Sequence, residues 1–220
     1  MYRSLITIIT YYRKIVLVAI AITFPVSAQN ASIGNQLWSS AVAEKTFQTG
    51  IKIELEQQLR LRDHSPLFSQ TFTELRLGYA LADHIVINGH YRYILYSPDT
   101  GWRIAASTTI KLASGRTSHS LRLKYQRQRR EGRTPVYHIR FRGTISLPSA
   151  NKNVVLYLQG EPWLLLGDQQ DWIRYWLDTG VKYRFSKRCT WDIFYRYQGD
   201  RLESGWSGFN ILGLRFRIGL

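Results

Sequence analysis

Cysteine, acidic residues and long apolar runs are all scarce in this chain of 220 residues. The single cysteine, Cys189, excludes an intramolecular disulfide and a cysteine metal site. Lys and Arg number 30 against 15 Asp and Glu, a net charge of +15. Such an excess is typical of nucleic-acid binders, yet here the basic residues alternate with apolar ones and form no block. We therefore predict no nucleic-acid partner.

The N-terminus has the order of features found in secretory signals. Arg13 and Lys14 precede the apolar stretch 15–24, and small residues follow at 26–28. The stretch is shorter than the roughly 20 apolar residues that a membrane-spanning helix needs, and no later window supplies them. We predict a signal peptide over residues 1–28, with an uncleaved N-terminal anchor as the alternative. The rest of the chain is predicted to be one domain.

From Gly50 onward, apolar and polar residues alternate with a period of two. Ile53 and Leu55 share one parity, whereas Glu54 and Glu56 share the other. A β-strand places these two sets on opposite faces. No segment after residue 28 has the period of a helix. The alternation predicts ten strands: 51–62, 74–81, 85–95, 102–112, 118–129, 136–147, 154–165, 172–185, 189–198 and 207–219.

The strands have the length and the aromatic ends expected in a membrane. Most run about 10 to 14 residues, whereas ordinary strands have about five or six and strands of about 9–11 residues cross a bilayer. We predict an all-β fold, a single closed antiparallel transmembrane barrel in the bacterial outer membrane; a soluble exported β-protein is the alternative. Aromatic residues predicted at the two interfaces are Tyr79, Tyr93, Trp102, Tyr125, Tyr137, Tyr183, Trp191 and Tyr197.

The strand count follows from the position of the chain ends. If the barrel occupies residues 49–220, ten strands return the C-terminus to the side from which the first strand starts, as in barrels with both ends periplasmic. Two alternatives remain for the N-terminal segment 29–48, which contains Trp38. It forms an extra strand, which would give twelve strands if one more is present, or it enters the lumen. Turns 82–84 and 186–188 are predicted to be periplasmic, and the outside loops are predicted at 130–135, 166–171 and 199–206.

The order of short motifs resembles an uncharacterised family of outer-membrane barrels, domain of unknown function 2490. Its pieces are Leu37-Trp38-Ser39, residues 54–60, His119 to Leu123, His138 to Arg142, Gly160-Glu161-Pro162-Trp163, Arg174, Gly180 to Tyr183, and Phe194 to Gln198. The resemblance implies a barrel and supplies no reaction. It also implies two partners, outer-membrane lipid and the barrel-assembly machinery. The chain departs from the usual aromatic end because its last residue is Leu220.

The polar parity is predicted to line a strongly basic lumen that attracts anions. One hypothesis is a lumen filled by ion pairs, since an eight-stranded barrel is just filled by side chains. The other is a narrow anion-selective channel for acidic solutes or oligosaccharides. The predicted basic rows are Arg60, Arg76, Arg92, Arg103, Arg122, Lys124, Arg140, Arg142, Arg174, Lys182 and Arg196. The predicted acidic partners are Glu54, Glu56, Glu74, Glu161, Asp178 and Asp192.

Three further arginines lie at or just beyond a strand end. Arg127, Arg129 and Arg130 follow the apolar positions of segment 118–129. Guanidinium groups suit phosphate recognition, so we predict contacts with lipid phosphates, with a solvated loop as the alternative.

No catalytic residue, metal site or cofactor is predicted. A nucleophile and its base must share a face, but His64-Ser65 and His119-Ser120 are adjacent and point oppositely. His90 and His138 are followed at the second position by Arg92 and Arg140. A lipid-modifying enzyme is retained only as a third hypothesis.

Overall fold

A computed structural model describes residues 33–62, 65–96, 98–114, 117–167, 171–202 and 205–220. The predicted signal peptide, residues 1–28, lies outside this part of the chain and stays a prediction. None of the helices in the described ranges is long and apolar enough to cross a membrane.

Long strands account for nearly all of the described chain, and they close into one barrel. Consecutive strands pair antiparallel from β1 through β11, and β11 then pairs with β1. The strands are β1 (Ile33–Thr46), β2 (Ile51–Arg62), β3 (Ser65–Ala82), β4 (Ile85–Tyr96), β5 (Thr100–Ser114), β6 (Thr117–Arg130), β7 (Val136–Pro148), β8 (Val154–Leu166), β9 (Asp171–Arg184), β10 (Cys189–Leu202) and β11 (Gly205–Gly219).

The prediction of ten strands, with twelve as the alternative, was wrong. The segment around Trp38 forms β1, so eleven strands are present in the described residues. β1 pairs antiparallel with β2, where Trp38 faces Arg60, and parallel with β11, where Trp38 faces Gly213. Because β1 and β11 run parallel, β1 starts at one end of the barrel and β11 finishes at the other. The assumption that both ends share a side, which gave the even count, was therefore wrong.

The predicted faces are confirmed by the exposure of the side chains. Leu77, Leu123 and Ile193 point outward with 50–53% of their surface exposed, whereas Glu54 and Glu74 point inward with 2–3% exposed. Alternation along each strand places the apolar parity outside and the charged parity inside. The exterior is therefore a continuous apolar face around a charged interior.

Two groups of turns lie at opposite ends of the barrel. Residues 83–84 and 185–188 lie at the end where β11 finishes, as predicted for a shared side, and residues 131–135 lie at the other end. The loop predicted at 199–206 was wrong, because β10 continues to Leu202 and β11 starts at Gly205. Which end faces the periplasm stays a prediction.

Candidate functional site

The structure places every predicted lumen residue inside the barrel. All six predicted acidic partners are buried, with 1–6% of their surface exposed. The predicted cations share the inward parity of their strands and contact these carboxylates, the inward aromatic rings, or the central chamber described below. What these residues can do depends on the partners that they bind.

Glu161 on β8 is the centre of the densest ion-pair cluster. Its carboxylate, 1% exposed, accepts hydrogen bonds from the guanidinium groups of Arg140 and Arg142 and from Nη2 of Arg122 at 2.7 Å. Trp163 Nε1 donates a further bond to Oε1 at 3.1 Å. Register explains this convergence, because β7 pairs with β8 and β6 pairs with β7. One carboxylate thus neutralises only part of three guanidinium charges.

Glu74 on β3 forms a second cluster with cations on β3 and β4. Arg92 Nε donates to Oε2 at 2.6 Å, and Arg76 Nη2 donates to Oε1 at 3.0 Å. Arg76 extends the cluster to β2, since its Nη1 donates to Glu54 Oε1 at 2.6 Å. Arg217 on β11 donates to Glu54 Oε2 at 2.8 Å. Ion pairs therefore connect β11, β2, β3 and β4 across the interior.

Asp178 and Asp192 also bind side chains of other strands. Arg196 holds Asp178 through two hydrogen bonds of 2.7 Å each. Asp192 accepts a hydrogen bond from the Tyr157 hydroxyl at 2.9 Å. A fully bonded buried carboxylate is far less costly than an isolated one.

Part of the lumen is aromatic, which the prediction of a polar lining missed. Trp38, Trp163 and Trp176 are 2–6% exposed and pack together with Phe194 and Ile211. Trp163 and Trp176 lie two residues from Glu161 and Asp178, so they have the inward parity of those acids. Their parity could have identified these two tryptophans as inward residues. The assumption that inward residues are polar prevented that prediction.

Arginines lie over these inward rings. The Arg60 guanidinium carbon is 3.7 Å from the centroid of Trp38, and that of Arg196 is 3.9 Å from Trp176. A cation over a ring face is attracted by the quadrupole, by about 2 kcal/mol or more where water is excluded. The aromatic cluster thus adds a ring contact to Arg196, which Asp178 also binds, and to Arg60, which has no ion pair with a described carboxylate.

A central chamber of about 220 Å³ lies among these clusters. Eleven cationic and five acidic side chains line it, an excess of six positive charges. A second cavity of about 220 Å³, lined by Lys52 and Lys111 among others, shares Glu54, Arg76 and Arg122 with the chamber. The three shared residues stand between the two spaces.

Glu74, His90 and Ser107 form a chain that resembles a hydrolase triad. His90 Nε2 lies 3.0 Å from Ser107 Oγ, and Nδ1 lies 3.3 Å from Glu74 Oε1. Sequence spacing missed this contact because Ser107 is on the next strand. However, Arg76 Nε donates to Nδ1 at 3.2 Å, which makes Nδ1 an acceptor and Nε2–H the donor to Ser107. In that tautomer Nε2 carries a proton and cannot accept the one on the Ser107 hydroxyl.

Two other His-Ser pairs were considered as nucleophile and base in the sequence. His64 lies outside the described residues, and His119 Nε2 pairs with Thr117 at 3.0 Å. The described residues contain no group of three or more His, Cys, Asp or Glu side chains arranged to hold a metal ion.

The three arginines of β6 predicted to contact lipid divide into two groups. Arg127 and Arg129 point outward and are exposed, with Arg127 beside the rings of Trp102 and Tyr137 at 5.4 and 5.8 Å. Arg130 has the inward parity, and its Nε donates to Asp99 Oδ2 at 2.8 Å. Only Arg127 and Arg129 therefore remain available on the outer face.

The family described as Protein of unknown function (DUF2490) matches residues 35–208. The chain belongs to this family. The resemblance recognised in the sequence is thereby confirmed, and the matched range extends from β1 into β11 of the DUF2490 barrel. Among curated proteins, none matches the chain.

Solved structures similar to the DUF2490 barrel include two porins. The NanC porin is 13% identical, with a TM-score of 0.50, over 71% of this chain and 78% of that one. The KdgM porin is 12% identical, with a TM-score of 0.46, over 71% and 80%. At this identity the likeness concerns the fold, and the localisation predicted from the sequence, the bacterial outer membrane, agrees with that fold.

Proposed function

We propose that this DUF2490 barrel spans the bacterial outer membrane and is a non-enzymatic protein with a largely filled, strongly basic lumen. The observation that carries the proposal is the Glu161 cluster, in which three guanidinium groups and one indole converge on a single buried carboxylate. The Trp163 and Trp176 rings, tilted by 58° with centroids 4.8 Å apart, occupy the adjacent interior. Together they fill cross-section that an open pore would leave to water.

The outer face supports the membrane placement. Many large apolar side chains that point outward from the described strands are 37–61% exposed, including Leu55, Leu112 and Leu121. A monomer in water rarely exposes a contiguous apolar surface of more than a few hundred Å², whereas lipid solvates such a face without cost.

The proposed outward contacts of Arg127 and Arg129 are with lipid phosphates. Native mass spectrometry of the Arg127→Gln, Arg129→Gln protein tests them: unchanged retention of phosphorylated lipid contradicts these contacts.

Conductance in planar bilayers tests the filled lumen. We expect no sustained current from the wild-type barrel, and we expect current from a Trp163→Ala, Trp176→Ala variant because both rings leave the interior. Trp191→Ala is the matched control, since Trp191 points outward and is 38% exposed. A sustained wild-type current contradicts the filled lumen.

A narrow anion-selective channel is the second candidate, favoured by the cationic excess around the chamber. Arginine-lined pores select anions electrostatically. If current is found, this candidate requires anion selectivity that falls in an Arg140→Ala, Arg142→Ala variant. Current without selectivity, or current unchanged by that variant, contradicts it.

A further inference from the structure

The inner wall made by β5, β6 and β7 carries cations and no carboxylate. All inward positions of these strands between residues 103 and 146 are described, and none is Asp or Glu. The seven cations on this wall are Arg103, Lys111, Arg122, Lys124, Arg130, Arg140 and Arg142, of which Arg130 pairs with Asp99 before β5. Any neutralising charge must therefore come from residues outside these strands or from a bound ion.

Most cations of the wall find such partners. Arg140 and Arg142 reach Glu161 on β8, and Arg122 reaches it through Nη2. Arg103 donates to the amide oxygen of Gln128. The Nε of Arg122 has no hydrogen-bond partner in the described part of the chain. The arginines on β7 thus have a carboxylate partner, whereas Arg122 on β6 has one N–H group without a hydrogen-bond partner.

Lys124, at the middle of the wall, is the exception. It is 3% exposed and lines the central chamber, yet its ammonium makes no hydrogen bond or ion pair with any described residue. Its cross-strand neighbours are Ser107 and Arg140. Glu74 attracts it at longer range, but that carboxylate is already bound by Arg76 and Arg92.

A buried ammonium without a partner costs several kcal/mol. Elsewhere in the lumen a lysine has a ring as its partner: the Lys182 ammonium lies over the Tyr157 ring, 4.8 Å from its centroid. Lys124 has no such ring contact among the described residues. Apart from the longer-range attraction of Glu74, this charge has no partner among the described residues, and it lines a chamber that has a positive excess.

We propose that the central chamber is a binding site for a small anionic solute, with Lys124 as its main contact and Arg122 beside it. The chemical group recognised is a carboxylate or phosphate, because both place several acceptor oxygens on one negative charge. The chamber volume of about 220 Å³ lies below the roughly 300–1,000 Å³ of pockets for drug-sized ligands. The occupant is accordingly of the size of one acidic sugar or a smaller anion.

This site rests on the basic lumen of the proposed function but requires no conduction. Binding to the full-length barrel in neutral detergent is measured by calorimetry, with glucuronate, inorganic phosphate and neutral glucose as probes. We expect at least one anion to bind, glucose not to bind, and affinity to fall as NaCl is raised. The two anionic probes distinguish a sugar acid from free phosphate.

Lys124→Met keeps the length of the side chain and removes the charge. We expect it to weaken anion binding at least tenfold without lowering the melting temperature, because it removes an unpaired buried charge. Lys187→Met, in the exposed turn 185–188, removes the same charge and should bind like wild type. Arg122→Lys keeps a charge beside the chamber, so weaker binding in that variant supports a direct guanidinium contact.

Three results overturn the site: no binding of either anion to wild type, equal binding of glucose, or unchanged affinity in Lys124→Met. If Lys124→Met fails to fold, the charge is structural and the site is likewise overturned, unless wild type binds an anion and Arg122→Lys binds it at least tenfold more weakly. Conductance on the same preparations is read separately, so a conducting barrel that binds anions contradicts the filled lumen and leaves this site standing.

Discussion

The Arg140 guanidinium carbon lies over the Trp163 ring, 3.8 Å from its centroid, and the two residues are direct cross-strand partners on β7 and β8. The same guanidinium donates to Glu161 and, at 3.1 Å, to the Gln126 amide oxygen. Stacking and hydrogen bonding therefore hold one cation in one orientation. These contacts restrict which side chains can occupy the position of Arg140.

Glu161→Gln should be the most destabilising conservative change in the lumen. It removes the counter-charge of three arginines and leaves them buried and unpaired, which costs about 3–5 kcal/mol for one broken buried pair. The free energy of unfolding by urea in detergent micelles measures the effect. Glu131→Gln, at a loop carboxylate bonded to Thr100, is the control. Equal stabilities of the two variants contradict the role assigned to Glu161.

Gly213→Ala should destabilise the barrel by about 1–3 kcal/mol through overpacking. A Cβ at Gly213 would approach the Phe194 ring too closely, because that ring lies against the glycine from the neighbouring strand. Gly89→Ala is the matched control, since nothing lies within 4 Å of its Cβ position. Comparison of the two unfolding midpoints decides the point, and a neutral Gly213→Ala refutes the close packing.

Leu123→Arg tests whether the outer face contacts lipid. Leu123 is 50% exposed near the middle of β6, where an arginine facing hydrocarbon costs about 2–4 kcal/mol. Leu81→Arg, near the end of β3, should cost much less because its side chain reaches the interface. Stability is measured in lipid vesicles. Equal costs at both positions contradict a membrane-spanning barrel.

The parallel closure between β1 and β11 is testable by crosslinking. Ala43 and Ile218 are register partners on the outer face, so Ala43→Cys with Ile218→Cys should form a disulfide in a Cys189→Ser background. Ala41→Cys with Ile218→Cys keeps the face but shifts the register by two residues, and we expect little crosslinking. Gel mobility under non-reducing conditions reports both. Preferential crosslinking of the shifted pair refutes the register.

The alternation of apolar and polar residues predicted most of the fold. The ten predicted segments all lie on observed strands, because a period of two is imposed residue by residue by the pleat. The inward position of Glu54, Glu161 and Arg140 followed from the same parity. For β1 the sequence left two alternatives, an extra strand or a segment in the lumen, because serines and alanines weaken its alternation.

The sequence by itself determined the class of fold, which residues meet lipid and which meet the lumen, and the positive charge of the interior, since each depends only on parity and composition. The tertiary structure alone decided the eleventh strand, the stacking of Arg60 on Trp38, the shared carboxylate Glu161 and the unpaired Lys124. These features depend on which strands face one another and in what register, and closure of the barrel sets both at once.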